Sequence, residues 1–327
     1  MVAGQELSGS KRLTSSIFGD KRLDKQYEQI TQAIASKQHA CIYRLSSSHS
    51  QRTGFYRFLD NEAVSLERLQ LESRRRCALA AEKEDTLLVL HDTTDFDYSF
   101  FAGQPGLGPI GNHQGEGYFA HVSMAVSTTG FTPLGIASTR IWHRKTESKK
   151  LKPYHIAFEQ KESCRWIQAC QAAATALAGA NLIHIQDREG DMYDTFAIAE
   201  GKHHLLIRSR ADRIIETQQG KRLKLSSHLQ QVPVSGHYRF PVNGECGKKQ
   251  KREALMQLKY TRVALQRPNK FVYQKHYARQ VLVWVIEATE VGAPQGESPV
   301  YWRLLTTLPV CDLEQALEKV YYYTRRW

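Results

Sequence analysis

Asp92 and Asp187 each follow a short apolar run, Leu87-Leu88-Val89-Leu90 in the first case and Leu182-Ile183-His184-Ile185 in the second. Continuous apolar runs of this length read as strands buried on both faces. Strand ends open onto the edge of a packed sheet, where carboxylates from different strands can converge on a metal ion. If the two strands are neighbours, the two side chains meet although they are far apart in the chain. Paired carboxylates holding two Mg²⁺ ions are a standard device for phosphodiester cleavage, one ion activating a water or 3′-hydroxyl and the other stabilising the leaving oxygen. The opposing reading is an aspartate that merely starts a loop or caps a helix, and bare spacing favours it.

The elements that must position these residues follow from the apolar period. Leu23, Tyr27, Ile30 and Ile34 recur at helical spacing after Asp20, a good N-cap. A second helix is expected over 65–84, where Arg74, Arg75 and Arg76 fan around one surface. Such a run is a solvated face by default. With Lys11, Arg12, Lys21 and Arg22 nearby, contact with a DNA backbone competes with that reading. After the strand that leads to Asp92, 119–126 and 132–141 read as a hairpin turned at Thr128-Thr129-Gly130. A helix over 162–177 stops at Gly179, the strand to Asp187 follows, and Leu205 to Arg208 make another short strand.

Runs such as VLVWVIEAT and YWRLLTTL then indicate an inserted β-rich subdomain, with a basic loop from Gly244 to Arg252 that includes Lys248, Lys249 and Lys251. Asp312 caps a last helix running toward Trp327. The expected division is a helical domain over 1–85, an α/β core over 86–217, a β-rich insertion over 218–309, and the start of a last helix over 310–327.

Composition narrows the partners. Lysine and arginine number 45 against 33 aspartates and glutamates, a net charge of +12 that suits a polyanion. No apolar run approaches the roughly 20 residues of a membrane span, and the N-terminus lacks a secretory signal, so a cytoplasmic protein is expected. The six cysteines form no C-x-x-C pair and no zinc-finger spacing; Cys164 and Cys170 read as small core residues of a helix. Gly106-Leu107-Gly108-Pro109-Ile110-Gly111 fits G-x-G-x-x-G, but it starts well after the strand, contains Pro109 and leads into another strand. It reads as a flexible loop bordering the active site, not as a dinucleotide site.

The local sequences outweigh the bland reading of the two aspartates. His91-Asp92-Thr93-Thr94, Asp187-Arg188-Glu189-Gly190-Asp191 and Tyr323-Thr324-Arg325-Arg326-Trp327, with Phe18-Gly19-Asp20-Lys21-Arg22 and Gly54-Phe55-Tyr56-Arg57-Phe58, resemble the bacterial DDE cut-and-paste transposases of the insertion-sequence four group. That resemblance implies a helical DNA-end-binding domain, an α/β ribonuclease-H-like core of mixed sheet and helices, and a β-rich insertion. It places Asp92 and Asp187 as the first two catalytic, metal-binding carboxylates, with Mg²⁺ as cofactor and Mn²⁺ as its substitute. It gives Arg208 a contact to the transposon end and Trp302 a stacking role on a flipped base. Tyr323 and Arg326 match the first two members of the family's Y-R-E-K signature, which grips a nearby phosphate. The implied partners are double-stranded transposon ends and a second copy of the chain on DNA, in the cytoplasm at the nucleoid.

Each DNA-binding assignment has a plain counterpart: Trp302 also fits an apolar strand, and Tyr323 and Arg326, three apart, share a helix face in any case. The signature's glutamate would fall three positions past Trp327, followed by a lysine and the helices through which such enzymes dimerise. Glu189 and Asp191 are not expected to replace it. The expectation is therefore a transposase impaired in cleavage, against a non-catalytic DNA-binding remnant or inhibitor of transposition. A free-standing nuclease on the same core would not need the N-terminal helices.

Overall fold

The structure is a computed structural model that describes residues 16–111, 115–145, 160–199, 201, 203–243, 251–268 and 277–326. Lys11, Arg12, Cys246, Lys248, Lys249 and Trp327 lie outside these. The chain divides into two units, Met1–Arg75 and Arg76–Trp327.

In the first unit, α1 (Lys21–Lys37), α2 (Ile42–Leu45), α3 (His49–Leu59) and the start of α4 (Leu66–Ala80) surround a small core. Asp20 caps α1, its Oδ1 accepting from the Arg22 amide at 2.8 Å. Phe18 packs edge-on against Tyr27 and Phe58 at 5.6 and 5.3 Å, and Ile30, Leu45 and Phe55 complete the buried set. Leu23, Tyr27 and Ile30 turn inward as their spacing predicts. Ile34 is 43% exposed instead, because the aromatic pack is built on Phe18 and so engages the earlier turns of α1.

The second unit is built on one mixed sheet. Its strands are β1 (Thr86–Asp97), β2 (Gly108–Ile110), β3 (Gly115–Ser127), β4 (Pro133–Trp142), β5 (Asn181–Gln186), β6 (His203–Arg208), β7 (Ile214–Glu216), β8 (Arg222–Lys224), β9 (Gly236–Val242), β10 (Arg252–Gln266), β11 (Gln280–Val291) and β12 (Tyr301–Thr306). Its helices are α5 (Arg165–Ala176), α6 (Tyr193–Ala197), α7 (Leu225–Gln231) and α8 (Leu313–Thr324). The order is β2-β3-β1-β5-β6-β12-β11-β10-β7-β8, with β4 also on β3 and β9 also on β10. β1 runs parallel to β5 and β5 parallel to β6, whereas β3 lies antiparallel to β1 and β4 antiparallel to β3.

The strands read as an insertion continue this sheet edge to edge: β12 pairs antiparallel with β6, Leu304 opposite Arg208 and Leu305 opposite Ile207. The G-x-G-x-x-G stretch is not simply a loop, since Gly108–Ile110 forms β2 on β3.

Side chains alternate across each strand, and the two faces bury different partners. Leu88, Leu90, Ile183, Ile185 and Leu304 pack with Ala316, Val320 and Tyr323 of α8. Leu87, Val89 and Leu182 pack with Ala173 of α5 and with Leu177, while Leu305 joins Leu225 and Leu229 of α7. Each fully buried Leu or Ile contributes roughly 1.5–3 kcal/mol relative to exposure, which fixes the register of β1 and β5. A slip by one residue would exchange the two faces.

Candidate active site and nucleic-acid surfaces

The same alternation sorts the polar residues at the strand ends. Asp92 continues the parity of Leu88 and Leu90, and Asp187 that of Ile183 and Ile185, so both carboxylates belong to the α8 side. His91 and His184 follow Leu87, Val89 and Leu182 and belong to the α5 side. Parallel pairing of β1 with β5 stops at Leu90 opposite Ile185. β1 itself does not end at Asp92 as the sequence reading has it: it runs on to Asp97, paired only with β3. That extension depends on Gly117, where a Cβ would sit 1.9 Å from the Phe96 carbonyl oxygen. Asp92 thus stands where one flank of β1 loses its partner strand.

Asp92 and Asp187 are brought together. Arg326 Nη2 lies 2.6 Å from Asp92 Oδ1 and 3.3 Å from Asp187 Oδ2, and Arg326 Nε donates to the His91 carbonyl at 2.9 Å. The guanidinium is buried, Asp92 is exposed and Asp187 is partly exposed. Asp187 Oδ1 also accepts from the Glu189 amide at 2.8 Å. The donor set fits a hard divalent cation: two carboxylate oxygens aim at one point, which the guanidinium nitrogen holds here. Arg326 is not on a helix face shared with Tyr323, because α8 ends at Thr324 and Arg326 lies in the turn beyond it. Tyr323 is fully buried in the core under α8.

Beside the pair, Arg165 donates to Thr93 Oγ1 at 3.1 Å and forms an ion pair with Glu189. Thr93 Oγ1 lies 2.8 Å from His121 Nδ1. Burial, followed by the charges of Arg165, Arg326 and Arg140, pushes the His121 pKa down to about 3. Asp191 is committed elsewhere. Its Oδ2 accepts from the amides of Arg210 and Ala211 at 2.7 and 3.1 Å, and its Oδ1 pairs with Arg213 at 2.6 Å, with no side-chain exposure. It is a tether for the 209–213 turn and has no oxygen to offer a metal at the edge.

On the α5 side, His91 Nε2 lies 2.9 Å from His184 Nδ1 and 3.8 Å from Cys170 Sγ, and Gln186 Nε2 donates to that sulfur at 3.1 Å. Burial holds the His184 pKa down to about 3, with His203 and His204 adding to it, and pushes the Cys170 thiol up to about 12. No motif marks this cluster, since its members come from three separate elements.

Arg208 and Trp302 meet at a different place, a groove of about 1070 Å³ also lined by Arg188, Arg239, Arg252 and Arg325. Trp302 is half-buried, edge-on to Phe240 at 4.7 Å, and Arg208 donates to the Tyr301 carbonyl at 3.1 Å. Arg188 follows Asp187 directly, so the groove adjoins the carboxylate edge. Tyr323 and Arg326 do not line it; Tyr323 touches it only through Trp302, ring centres 6.4 Å apart. Arg252 is spent on Glu290 and Glu297 and Arg239 on Glu253, and Glu314 and Glu318 also line the groove. Arg188, Arg208 and Arg325 beside the half-exposed indole are the groups suited to holding the phosphates of a stacked base.

In the first unit, α1 and α3 flank a polar cleft of about 900 Å³ lined by Gln26, Gln29, His49, Gln51 and Arg57 among others. Amide side chains can read base edges bidentately and arginine can hold phosphate or guanine. Of the arginine run on α4, Arg75 is spent on Glu72, at 2.7 and 3.0 Å, and Arg74 Nε donates to the Gln70 carbonyl at 3.2 Å.

Residues 10–64 match the family model described as transposase DNA-binding. The match covers the cleft between α1 and α3 and supports a transposase with DNA as its partner. Among the described residues no helix is long and apolar enough to cross a membrane.

Proposed function

We propose that this protein is a DNA transposase of the DDE type, which holds transposon ends through the unit containing α1 and α3 and cleaves and joins strands at the edge formed by Asp92 and Asp187. The observation that carries this reading is the pairing of the DNA-binding match over 10–64 with two carboxylates from neighbouring parallel strands that converge on one point. The strand order β4-β3-β1-β5-β6, antiparallel up to β1 and parallel after it, supports a ribonuclease-H-like core. Asp92 and Asp187 would hold Mg²⁺, which would supply an activated nucleophile and charge stabilisation at the scissile phosphate. Arg326 keeps the two carboxylates together and offsets one of their two charges without a bound cation, and would turn to a DNA phosphate when one binds. Arg208 and Trp302 are then the groove's contacts to the strand beyond the cleaved phosphate.

A second reading is a DNA-binding protein without cleavage, and the ion pairs of Arg326 with both carboxylates favour it. One experiment separates the two. Plasmid carrying transposon ends is incubated with the protein in Mg²⁺ or Mn²⁺, and end binding is followed in parallel by fluorescence anisotropy. End binding that weakens steeply with salt, together with nicking lost in Asp92→Asn and Asp187→Asn, supports the enzyme. End binding with no nicking supports the second reading, and no preference for ends removes both.

A further inference from the structure

We propose that His91, Cys170 and His184 form a binding site for a soft transition-metal cation of the zinc class, on the opposite face of the sheet from Asp92 and Asp187. The three residues come from β1, α5 and β5, and one ligand atom from each lies within 4.8 Å of the other two. Tetrahedral zinc with bonds of roughly 2.0–2.3 Å keeps its ligand atoms about 3.3–3.7 Å apart. The 2.9 Å between His91 Nε2 and His184 Nδ1 and the 3.8 Å from His91 Nε2 to Cys170 Sγ bracket that range. Small side-chain shifts suffice to admit the ion.

The chemistry around the three atoms points the same way. Imidazole nitrogen and thiolate sulfur suit zinc and not magnesium, so this site and the carboxylate edge select different ions. Metal-bound histidines are fixed by a hydrogen bond from the other ring nitrogen. His91 Nδ1 lies 3.0 Å from Ser123 Oγ, which accepts in turn from Ser138 Oγ at 2.8 Å. A proton on His91 Nδ1 leaves Nε2 free to ligate. His184 faces the same point through Nδ1, but its Nε2 is buried with no hydrogen-bond partner among the described residues, so this ring lacks the orienting bond that His91 has. Gln186 Nε2 donates to Cys170 Sγ, as a donor to a thiolate would.

Cys170 and His184 also line a cavity of about 330 Å³ with His203 and Thr195, which offers an entry path and a fourth position for water. Binding displaces the thiol proton into solvent, leaving a thiolate and two neutral imidazoles around the ion. The occupied site then carries one positive charge in excess. A bound ion would clamp β1, β5 and α5 directly behind the two aspartates.

The rival is a metal-free polar core, in which the same atoms merely hydrogen-bond to one another. The test is a Co²⁺ titration of the full chain with Cys41, Cys246 and Cys311 changed to serine, followed by near-ultraviolet and visible absorption. The expected result is one equivalent of Co²⁺ per chain with a thiolate charge-transfer band, displaced by Zn²⁺ but not by a hundredfold excess of Mg²⁺. The band should vanish in Cys170→Ala and weaken at least tenfold in affinity in His184→Gln. Zn²⁺ should raise the melting temperature of the parent and leave that of Cys170→Ala unchanged. If Cys170→Ala does not fold, His184→Gln and proton release on adding Zn²⁺ to the parent decide the matter. Absence of the band in the folded parent, a band indifferent to both substitutions, or Zn²⁺ uptake without proton release overturns the proposal. None of these readouts depends on DNA cleavage.

Discussion

Arg326 Nη2 donates to Asp92 Oδ1 at 2.6 Å, a contact between a guanidinium with 2% side-chain exposure and a carboxylate with 65%. The wet end of this pair is screened, so its share of stability is modest. Its geometric effect is larger, because the same nitrogen also reaches Asp187. A cation that needs both carboxylates must compete with a positive charge already between them.

Arg326→Gln should therefore bind Mn²⁺ more tightly than the parent, by about tenfold if the competing charge is worth about 1.4 kcal/mol. Without metal it should melt lower, since two carboxylates then face each other unbalanced. Mn²⁺ electron paramagnetic resonance titrations measure the first effect and thermal melts the second. Unchanged or weaker Mn²⁺ binding would show that Arg326 helps to build the cation site and does not compete for it.

Asp191→Ala should cost about 3 kcal/mol of stability, because it leaves a mostly buried arginine with only the residue 191 carbonyl as acceptor and leaves two amides without theirs. Asp191→Asn keeps one acceptor oxygen and should cost less. Urea unfolding gives both values. A loss below about 1 kcal/mol for the alanine variant would mean that the 209–213 turn does not depend on this tether.

The strands β1 and β5 were legible because each is a continuous apolar run, and parity then carried Asp92 and Asp187 to one face. The cap at Asp20, the hairpin at Gly130 and the cap at Asp312 were legible from local turn and cap chemistry. The join of β12 to β6 was not, since pairing between strands so distant in sequence leaves no local mark. The extension of β1 past Asp92 was hidden for a related reason. Its residues Asp95 and Asp97 look like a loop, and only their pairing with β3 across Gly117 makes them strand. His91 and Cys170, which lie 79 positions apart, and His91 and His184, which lie 93 apart, share no motif; the fold alone brings them together.

Stability should fall with acid through His121. Its pKa is about 3 in the folded chain against 6.5 for the free side chain, burial being the main cause, so the unfolded state takes up the proton first. The stability it supports is complete above about pH 6.5 and is lost progressively as pH falls toward 3, at up to about 1.4 kcal/mol per pH unit. His121→Asn should be less stable at neutral pH but show a shallower slope between roughly pH 6 and 4. Urea unfolding across that range measures the slopes, and parallel curves for the two proteins would rule out His121 as the source.

Trp302 separates the groove's functional role from a purely structural one. Half-buried and edge-on to Phe240, it keeps part of its ring open to the groove that Arg188 connects to the carboxylate edge. A base stacked on such a ring is worth about 1–3 kcal/mol, so Trp302→Ala should weaken binding roughly 5- to 150-fold. The loss should be greatest for an end duplex with an unpaired nucleotide near its terminus, since a paired base must first be unstacked. Truncating the indole also removes its packing on Phe240, which would lower stability without any role in DNA binding. Trp302→Phe keeps an aromatic face and most of the packing, and should recover most of the affinity. Anisotropy titrations of both variants on paired and unpaired ends, with urea unfolding of each, distinguish the cases. If the alanine variant stays folded and binds both duplexes as the parent does, Trp302 is an ordinary core residue and the groove does not hold a base.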